Sequence, residues 1–544
     1  MDQLEQILQH GSKLFNRGGV LSLWQTIADN FYPERADFTT IHNEGDEFGE
    51  DLSSSYPVLA RRELGDSLSS MLRPTSKNWF HMRTKENWDK VGVEARAWLE
   101  HAETIQRRAM YHRQSGFVNS TKQGDHDFSA FGQAVIQLSL NRDGNGLLYR
   151  TWHLRDVAWA VNENLQIDTI YRKWMPTVRD VCKLFGDKVH GSIKEKLEKN
   201  PLDELEVWHI IVPCEMYLTK KKINPRNKFM SLYVDVKNKT VLEEVAIPQH
   251  GYIIPRWRTI SGSAYAVSPA TVVALPDARL LQAMIGTLLE AGEKAVNPPM
   301  LADKQIFRGD FSIYPGGITW ADMDGGRIND HYMQLPIDKN GIPLGRDMAQ
   351  DVRQTIIEAF YLNKLTLPPP GVDRTAYEVG QRVQEYIRQA MPLFEPMESE
   401  YNGPVCENTF DTLMRVGAFG SPFDMPKELH GLEFDFVFES PLHDAVERAK
   451  GQNFLEAKSM IAEAAGIDPT SAYVFDVKKA IREVLSSIGT PAAWMRTEAD
   501  AQAKADEAEQ MQRNAELLAQ MQQGADVAKT IGETTTQPGG VVNR

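Results

Sequence analysis

The residues of this chain that could do chemistry are few, and the clearest group is Gly124-Asp125-His126-Asp127. Two carboxylates beside a histidine could bind a metal ion or transfer a proton. No second group of ligands accompanies them, and such a run is more often a solvated loop. We therefore expect an exposed loop here, with neither a metal ion nor a catalytic residue.

A second candidate, Asn141-Arg142-Asp143-Gly144-Asn145-Gly146, imitates the start of a calcium-binding loop. The first ligand position of that loop is Asn141, and the twelfth is Trp152 in place of the bidentate glutamate that calcium requires. The run Asp-Gly-Asn-Gly instead suits the positive φ angles of a tight hairpin. We expect a turn between two extended segments.

Motifs for nucleotide or metal chemistry are missing. The sequence has no G-x-x-x-x-G-K-[ST] phosphate loop, no H-E-x-x-H and no G-x-S-x-G. The three cysteines, Cys182, Cys214 and Cys406, are far apart and form no C-x-x-C, which indicates reduced thiols in a protein that folds in cytoplasm. The sharpest basic run, Lys220-Lys221-Lys222, could touch phosphate but is more typical of a solvated loop. We predict no enzyme, no cofactor and no metal.

Composition places the chain among large globular proteins. Its 544 residues are 42% hydrophobic and 25% charged, which predicts several lobes with a substantial core. The net charge of −14 argues against general duplex binding, which depends on Lys and Arg. An acidic surface suits either ordinary solubility or a passage through which DNA must slide. We find no signal peptide and no run of eighteen apolar residues, so we expect no membrane contact.

Hydrophobic periodicity predicts an α+β protein that is mostly helical. Helices are expected over 1–35, 56–73, 92–114 and 177–186. Enrichment in Val, Ile, Tyr and Trp predicts strands at 79–82, 157–161, 167–174, 206–212, 229–236 and 241–247, with mostly antiparallel pairing.

Two further helices enclose a small lobe that is rich in Gly, Asp and Pro. The first, over 268–296, begins with Ser268 as N-cap and Pro269 at the first helical position. Its apolar stripe comprises Leu280, Leu281, Met284, Ile285, Leu288 and Leu289. The second carries Met348, Val352, Ile356 and Phe360 four residues apart.

A proline-stiffened loop, Leu367-Pro368-Pro369-Pro370-Gly371, leads into another long helix. Thr375 and Glu378 have the spacing of a capping box, in which each side chain satisfies a backbone N–H of the first turn. Gly417 is expected to end the helical tract. A strand at 433–439 and helices at 441–466 and 471–488 follow, then an Ala/Gln/Glu-rich tail.

These motifs, in this order, resemble the head-to-tail connecting (portal) proteins of short-tailed bacteriophages over nearly the whole chain. The residues that carry the resemblance are Trp24-x-x-Ile27-Ala28 with Pro33, Leu72-x-Pro74 before Trp79-Phe80, Arg172 with Thr177-Val178 and Phe185-Gly186, Ser268-Pro269-Ala270, Thr375-Ala376-x-Glu378-Val379, Ser440-Pro441-Leu442, and Pro491 with Trp494 and Glu498. The triple proline 368–370 and the lack of a methionine before Thr375 depart from the family pattern.

The resemblance implies a portal fold and a ring of twelve copies at one capsid vertex of the virion, assembled in the host cytoplasm. Double-stranded DNA would pass through the ring without sequence specificity. Its implied partners are the terminase large subunit, tail adaptor and tail proteins, and the major capsid and scaffolding proteins. The implied regions are a wing (1–267), a first stem helix (268–296), a clip (297–345), a second stem helix (346–362), a channel loop (363–374), a long wing helix with a return strand (375–439), a helical crown (440–523) and a disordered tail (524–544).

The resemblance also assigns roles to residues. Lys364, Leu365, Pro368, Pro369, Pro370 and Arg374 would face DNA in the channel, and Thr375 and Glu378 would cap the helix behind them. We expect the stem residues Leu281, Met284, Ile285, Leu288, Val352 and Ile356 to contact neighbouring copies. Two other classes remain open: a different virion component, such as a tail adaptor or shell protein, and a DNA-packaging enzyme subunit, which the missing phosphate loop disfavours.

Overall fold

The computed structural model describes most of the chain up to residue 438 and short pieces beyond it. The described residues are 3–43, 45–75, 78–85, 91–141, 144, 146–217, 224–296, 300–302, 332–334, 341–365, 396–421, 424–438 and helical pieces within 457–461, 480–484 and 504–515.

The helices, in chain order, are α1 Gln3–Phe15, α2 Gly18–Phe31, α3 Tyr56–Leu72, α4 Val93–Met110, α5 Phe117–Phe131, α6 Val178–Phe185, α7 Gly191–Lys199, α8 Pro269–Val296, α9 Gly341–Ala359, α10 Leu362–Leu365 and α11 Gly403–Val416. A π-helical turn, Glu398–Asn402, precedes α11.

The strands are β1 Phe80–Thr84, β2 Val135–Leu140, β3 Leu147–Trp152, β4 Val157–Val161, β5 Ile167–Trp174, β6 Val207–Pro213, β7 Phe229–Asp235, β8 Thr240–Ile247, β9 Tyr252–Ile253, β10 Arg258–Thr259, β11 Ala266–Val267, β12 Met300–Ala302, β13 Tyr332–Gln334 and β14 Phe434–Phe438.

The largest sheet is antiparallel and has the order β4-β5-β6-β7-β8. Helix α1 covers one face, where Leu4, Ile7 and Leu8 join a buried cluster that includes Trp208 and Ile210. The helix lies so close that a Cβ on Gly11 would come within 3 Å of the Trp208 ring. Burial of alternate strand residues thus gives this lobe its own core.

The main core lies where α2, α3, α5 and α8 meet, beside the smaller sheet β3-β2-β9. Its largest fully buried side chains include Trp24, Phe31, Phe131 and Trp159. Arg17 enters this core and donates from Nη2 to the backbone carbonyls of residues 154 and 157, both at 2.7 Å. Both Nη atoms of the buried guanidinium therefore have partners, since Nη1 donates to the Tyr265 hydroxyl, while Nε has none among the described residues.

Most elements expected from the sequence are confirmed within the described residues, including the five strands of the large sheet and the β2–β3 hairpin, which a hydrogen bond from the Asn141 N–H to the Gly146 carbonyl closes. Gly417 adopts φ +76° directly after α11, as expected of a helix-ending glycine. The single helix expected over 1–35 is wrong, because two helices separated at Asn16–Arg17 occupy it.

The chain divides into two compact units. One comprises residues 1–81, 103–420 and 436–445, and it contains the sheets and cores above. The other comprises 82–102, 421–435 and 446–544. Within this second unit, Lys85 pairs with Glu433 at 3.0 Å, and the backbone N–H of Gly92 donates to Glu428.

Candidate functional site

The residues 124–127 do not form a chemical site. They lie inside α5, where Asp125 is fully buried and ion-paired with Arg73, and Asp127 is paired with Arg35 at 2.6 Å. Burial raises the pKa of Asp125, and the Arg73 guanidinium partly offsets that rise. The expectation of a solvated loop is wrong, because Arg73 and Arg35, from distant parts of the sequence, hold these carboxylates in the core.

The His126 side chain also contacts an arginine inside the fold. Its Nδ1 lies 3.1 Å from Nη1 of Arg61, and burial lowers the pKa of the imidazole. Across the described part of the chain, no group of three or more His, Cys, Asp or Glu side chains is placed to hold a metal ion. The feature that stands out is therefore a surface, on the hairpin that α8 and α9 form.

The base of α8 is fixed firmly to the core. Ser268 caps the helix, because its Oγ accepts from the backbone N–H of Thr271 while donating to the carbonyl of Ser129 at 2.7 Å. The Thr271 hydroxyl donates to the carbonyl of Ala130 at 2.7 Å. Gly132 has φ +73°, and a Cβ there would lie 2.2 Å from the carbonyl carbon of Val267. This close approach sets the direction in which α8 leaves the core.

Helices α8 and α9 pack antiparallel. The C-terminal part of α8 meets the start of α9, where a Cβ on Gly345 would lie 2.8 Å from Leu288. Short strands extend the hairpin, with Met300 paired to Gln334 and Ala302 to Tyr332. Helix α9 starts at Gly341, inside the region that the sequence analysis assigned to the clip.

The predicted contact residues are placed between these two helices and the core. Leu281 and Ile356 are fully buried inside the chain, so neither side chain presents surface to a neighbour. Met284, Ile285, Leu288 and Val352 are half-buried and pack against the same core. The apolar stripe therefore serves mainly to hold the hairpin together.

One side of the hairpin is covered by the chain itself. Gln282 exchanges hydrogen bonds with the backbone of Ser54, both at 2.7 Å, and Arg353 lies 5.5 Å from the Tyr56 ring centroid. With about 100° of rotation per residue, Gln282 and Arg353 lie on the same side of the antiparallel pair. The start of α3 and the residues just before it thus pack along this side.

The opposite side is open and apolar. We call it the open flank, defined by Val273 and Leu280 of α8 and Leu344 and Met348 of α9, whose exposed fractions are 57%, 49%, 63% and 52%. Helical rotation places all four on the side away from Ser54 and Tyr56. The sequence analysis did not assign contacts to these residues, although apolar residues spread beyond one stripe were a signal of a second partner.

Helix α8 is unusually apolar for a helix with so little buried surface. Within the described residues it is the one helix long and apolar enough to cross a membrane, with a mean hydropathy of 1.4, and 17% of that stretch is buried. The sequence analysis expected no such helix. Length and composition alone do not distinguish a membrane span from a helix that packs against another protein.

The predicted channel loop begins just after the hairpin. Phe360 and Leu362 are buried, and Tyr361 between them has φ +57°, where the chain turns from α9 into α10. The backbone of Lys364 and Leu365 forms the last two positions of α10. Pro368, Pro369, Pro370, Arg374, Thr375 and Glu378 lie outside the described residues, as do most of the predicted crown and all of the predicted tail.

The family profile and the curated relatives point to the same family of proteins. The profile of the family described as bacteriophage head to tail connecting protein matches residues 4–495. The probable portal protein of Bordetella phage BPP-1 is 24% identical over 528 residues, which covers 95% of this chain and 93% of that protein. The portal protein of Salmonella phage epsilon15 is 23% identical over 543 residues, with coverages of 98% and 96%.

Among solved structures, a chain from the virion of a native gene transfer agent particle aligns with 79% of this chain and 90% of its own length, at 7% identity and a TM-score of 0.34. A superposition this weak supports no conclusion about the fold. The family profile spans most of the sequence and so decides the matter: the chain belongs to the bacteriophage head to tail connecting proteins.

Proposed function

We propose that this chain is a portal subunit, of which twelve copies close into a ring at one vertex of a phage capsid. Its full-length relatives in Bordetella phage BPP-1 and Salmonella phage epsilon15 are named as portal proteins. The observation that carries the proposal is the open flank, a row of half-exposed apolar side chains on a helical hairpin that is anchored in the core.

In the proposed ring, the open flank of one copy packs against a different surface of the next copy, because two open flanks packed against each other would close a two-fold dimer instead. The opposite side of the hairpin, occupied by Ser54 and Tyr56, would supply that different surface. Such a heterologous contact closes into a ring when the rotation per copy divides the circle.

Protein, and not lipid, is the proposed partner of α8. A membrane would surround the helix on all sides, whereas Ala270, Ala274, Ala278 and Leu281 are buried against the rest of the chain. The open flank occupies only the remaining part of the circumference. One neighbouring hairpin would be enough to cover it.

The channel would let double-stranded DNA pass without binding it tightly. Each copy carries a net charge of −14, so a ring repels the phosphates and keeps the duplex mobile. Lys364 and Arg374, with Leu365 and prolines 368–370, would line the narrow part and make transient contacts. This role requires no catalysis by the chain.

The wing, clip and crown regions predicted from the sequence supply the remaining proposed roles. The wing would face the capsid and scaffolding proteins, and the β12–β13 end of the hairpin would lie in the clip, where the terminase large subunit and later the tail adaptor dock. The crown would lie inside the head. Such a ring would be a virion component that is assembled in the host cytoplasm.

Gold-labelled antibody against this chain tests the location. We expect label at a single vertex of purified particles, at the site of tail attachment. Label distributed over the capsid surface, or along the length of a tail, would instead identify a shell or tail protein and contradict the proposal.

Charge reversal tests the channel. Lys364→Glu with Arg374→Glu should lower the fraction of DNA-filled heads while rings still form, because the duplex would lose its transient contacts. Lys183→Glu with Lys199→Glu, at two lysines in α6 and α7, is the matched control. Equal DNA filling in both variants would reject the assignment of the loop.

A further inference from the structure

A donor-rich hollow lies on the first compact unit, away from the hairpin. It has a volume of about 470 Å³ and is lined by Thr75, Asn78, Thr104, Arg107, Arg108 and Tyr111. We call it the Arg107 hollow. Two guanidiniums, two threonines and a tyrosine converge there on a protein whose overall charge is strongly negative.

Arg107 is held in place, and neither arginine of the hollow is neutralised. Nη2 of Arg107 donates to the carbonyl of Thr75 at 2.7 Å, and its Cζ lies 5.7 Å from the Tyr111 ring centroid. Neither Arg107 nor Arg108 has an acidic partner within the described residues. The other N–H groups of Arg107 and the exposed Arg108 guanidinium therefore remain available to an anion.

Tyr111 adds a neutral donor. Its oxygen accepts from the Trp79 indole N–H at 3.0 Å, which leaves the phenolic proton free to donate. Burial raises the pKa of Tyr111, so the hydroxyl keeps that proton at neutral pH. The carboxylate of Glu103, one helical turn before Arg107, is 4% exposed; it accepts a hydrogen bond from Asn78 and lies 3.0 Å from Nδ1 of His81.

Cations near the end of a helix also offset the helix dipole, and this alone could explain one arginine. It does not explain why Arg107 and Arg108, whose side chains diverge along α4, line the same hollow together with Tyr111. A bidentate guanidinium beside a hydroxyl donor matches the oxygens of a phosphate group.

We propose that the Arg107 hollow binds a phosphate group of the DNA backbone. The choice of DNA over a free phosphate rests on the proposed portal function, which makes packaged DNA the abundant polyanion beside this protein. The hollow would hold the backbone without reading sequence. This contact is separate from the channel loop.

The test uses the purified full chain and a fluorescein-labelled 20-base-pair duplex, titrated from 50 to 200 mM NaCl. Arg107→Gln with Arg108→Gln should weaken binding several-fold at low salt and flatten the plot of log K against log salt by about 1, because the contact with one phosphate group is lost. Arg62→Gln with Arg113→Gln, at exposed positions outside the hollow, removes the same charge and should leave the slope nearly unchanged.

Arg108→Gln alone guards against misfolding, since this exposed side chain can be removed without taking away the Arg107–Thr75 hydrogen bond. It should flatten the slope in the same direction as the double variant, but by less than about 1. Orthophosphate, compared with chloride at equal ionic strength, should displace the duplex from the wild-type chain more strongly. Equal slopes for the hollow and control variants would overturn the proposal. So would loss of orthophosphate binding with unchanged duplex binding, which would identify a free anion as the ligand.

Oligomer mass, measured on the same samples, separates the two proposals. Rings that form normally but show no difference between hollow and control variants would reject the hollow and leave the portal proposal intact. A chain that stays monomeric but shows the slope difference would support phosphate binding and reject the ring.

Discussion

Replacing Leu280 and Met348 by glutamine should weaken assembly without weakening the fold. About half of each side chain is exposed in the isolated chain. Full burial of a Leu or Met side chain contributes about 1.5–3 kcal/mol, so covering the exposed half contributes about 1 kcal/mol per residue. The double variant should therefore lose about 2 kcal/mol at each subunit contact, which corresponds to roughly 30-fold weaker association.

The assay is mass photometry over a range of protein concentrations, with thermal unfolding measured in parallel. The variant should shift from rings to monomers at concentrations where the wild type is assembled, with its unfolding temperature nearly unchanged. Leu184→Gln with Leu202→Gln is the control, because both side chains are at least as exposed but lie outside the open flank. If both double variants assemble like the wild type, the open flank is not the contact.

Three further outcomes follow from the fold. Gly132→Ala should lower the free energy of unfolding by about 2–4 kcal/mol in chemical denaturation, because the positive φ and the adjacent backbone leave no room for a Cβ. The control Gly191→Ala should change it by less than about 1 kcal/mol, and equal effects of the two variants would contradict the close approach at Gly132. Arg73→Met should lower the free energy of unfolding by about 3–5 kcal/mol, because it leaves the buried Asp125 carboxylate unpaired. The same substitution at the exposed Arg62 should lower it by less than about 0.5 kcal/mol, and an equally small loss for Arg73→Met would show that the Arg73–Asp125 pair is not buried. Burial lowers the pKa of His250 to about 4 from 6.5, so the unfolded chain takes up the proton first, and the free energy of unfolding should fall as the pH drops from about 6.5 to about 4. His250→Asn keeps an acceptor for the backbone N–H of Tyr252 and should flatten that fall, and an unchanged pH profile would refute the lowered pKa.

The large sheet and α8 could be predicted from the sequence because their signals are local. Alternating Val, Ile, Tyr and Trp residues mark β4 to β8, and Ser268 with Pro269 marks the start of α8. Helix α5 was missed because its sequence, with Gly124 between polar residues, is typical of a loop. Asp125 is stable in the core only because Arg73, 52 positions earlier, lies beside it, and no local pattern shows that pairing.

The candidate surface was predicted in part for a similar reason. Periodicity identified the apolar stripes of α8 and α9 but could not tell which side chains face each other within one chain. Leu281 and Ile356 turned inward, while Leu280 and Met348, members of the same stripes, remained exposed. The difference depends on which side Ser54 and Tyr56 cover, and that is decided by the tertiary fold.

The closed ring is tested most directly by electron microscopy of the purified full-length chain, with class averages of particles viewed end-on. The account predicts closed rings of twelve copies around an axial hole wide enough for duplex DNA. Isolated monomers at every concentration, or open filaments and sheets without an axial hole, would contradict it.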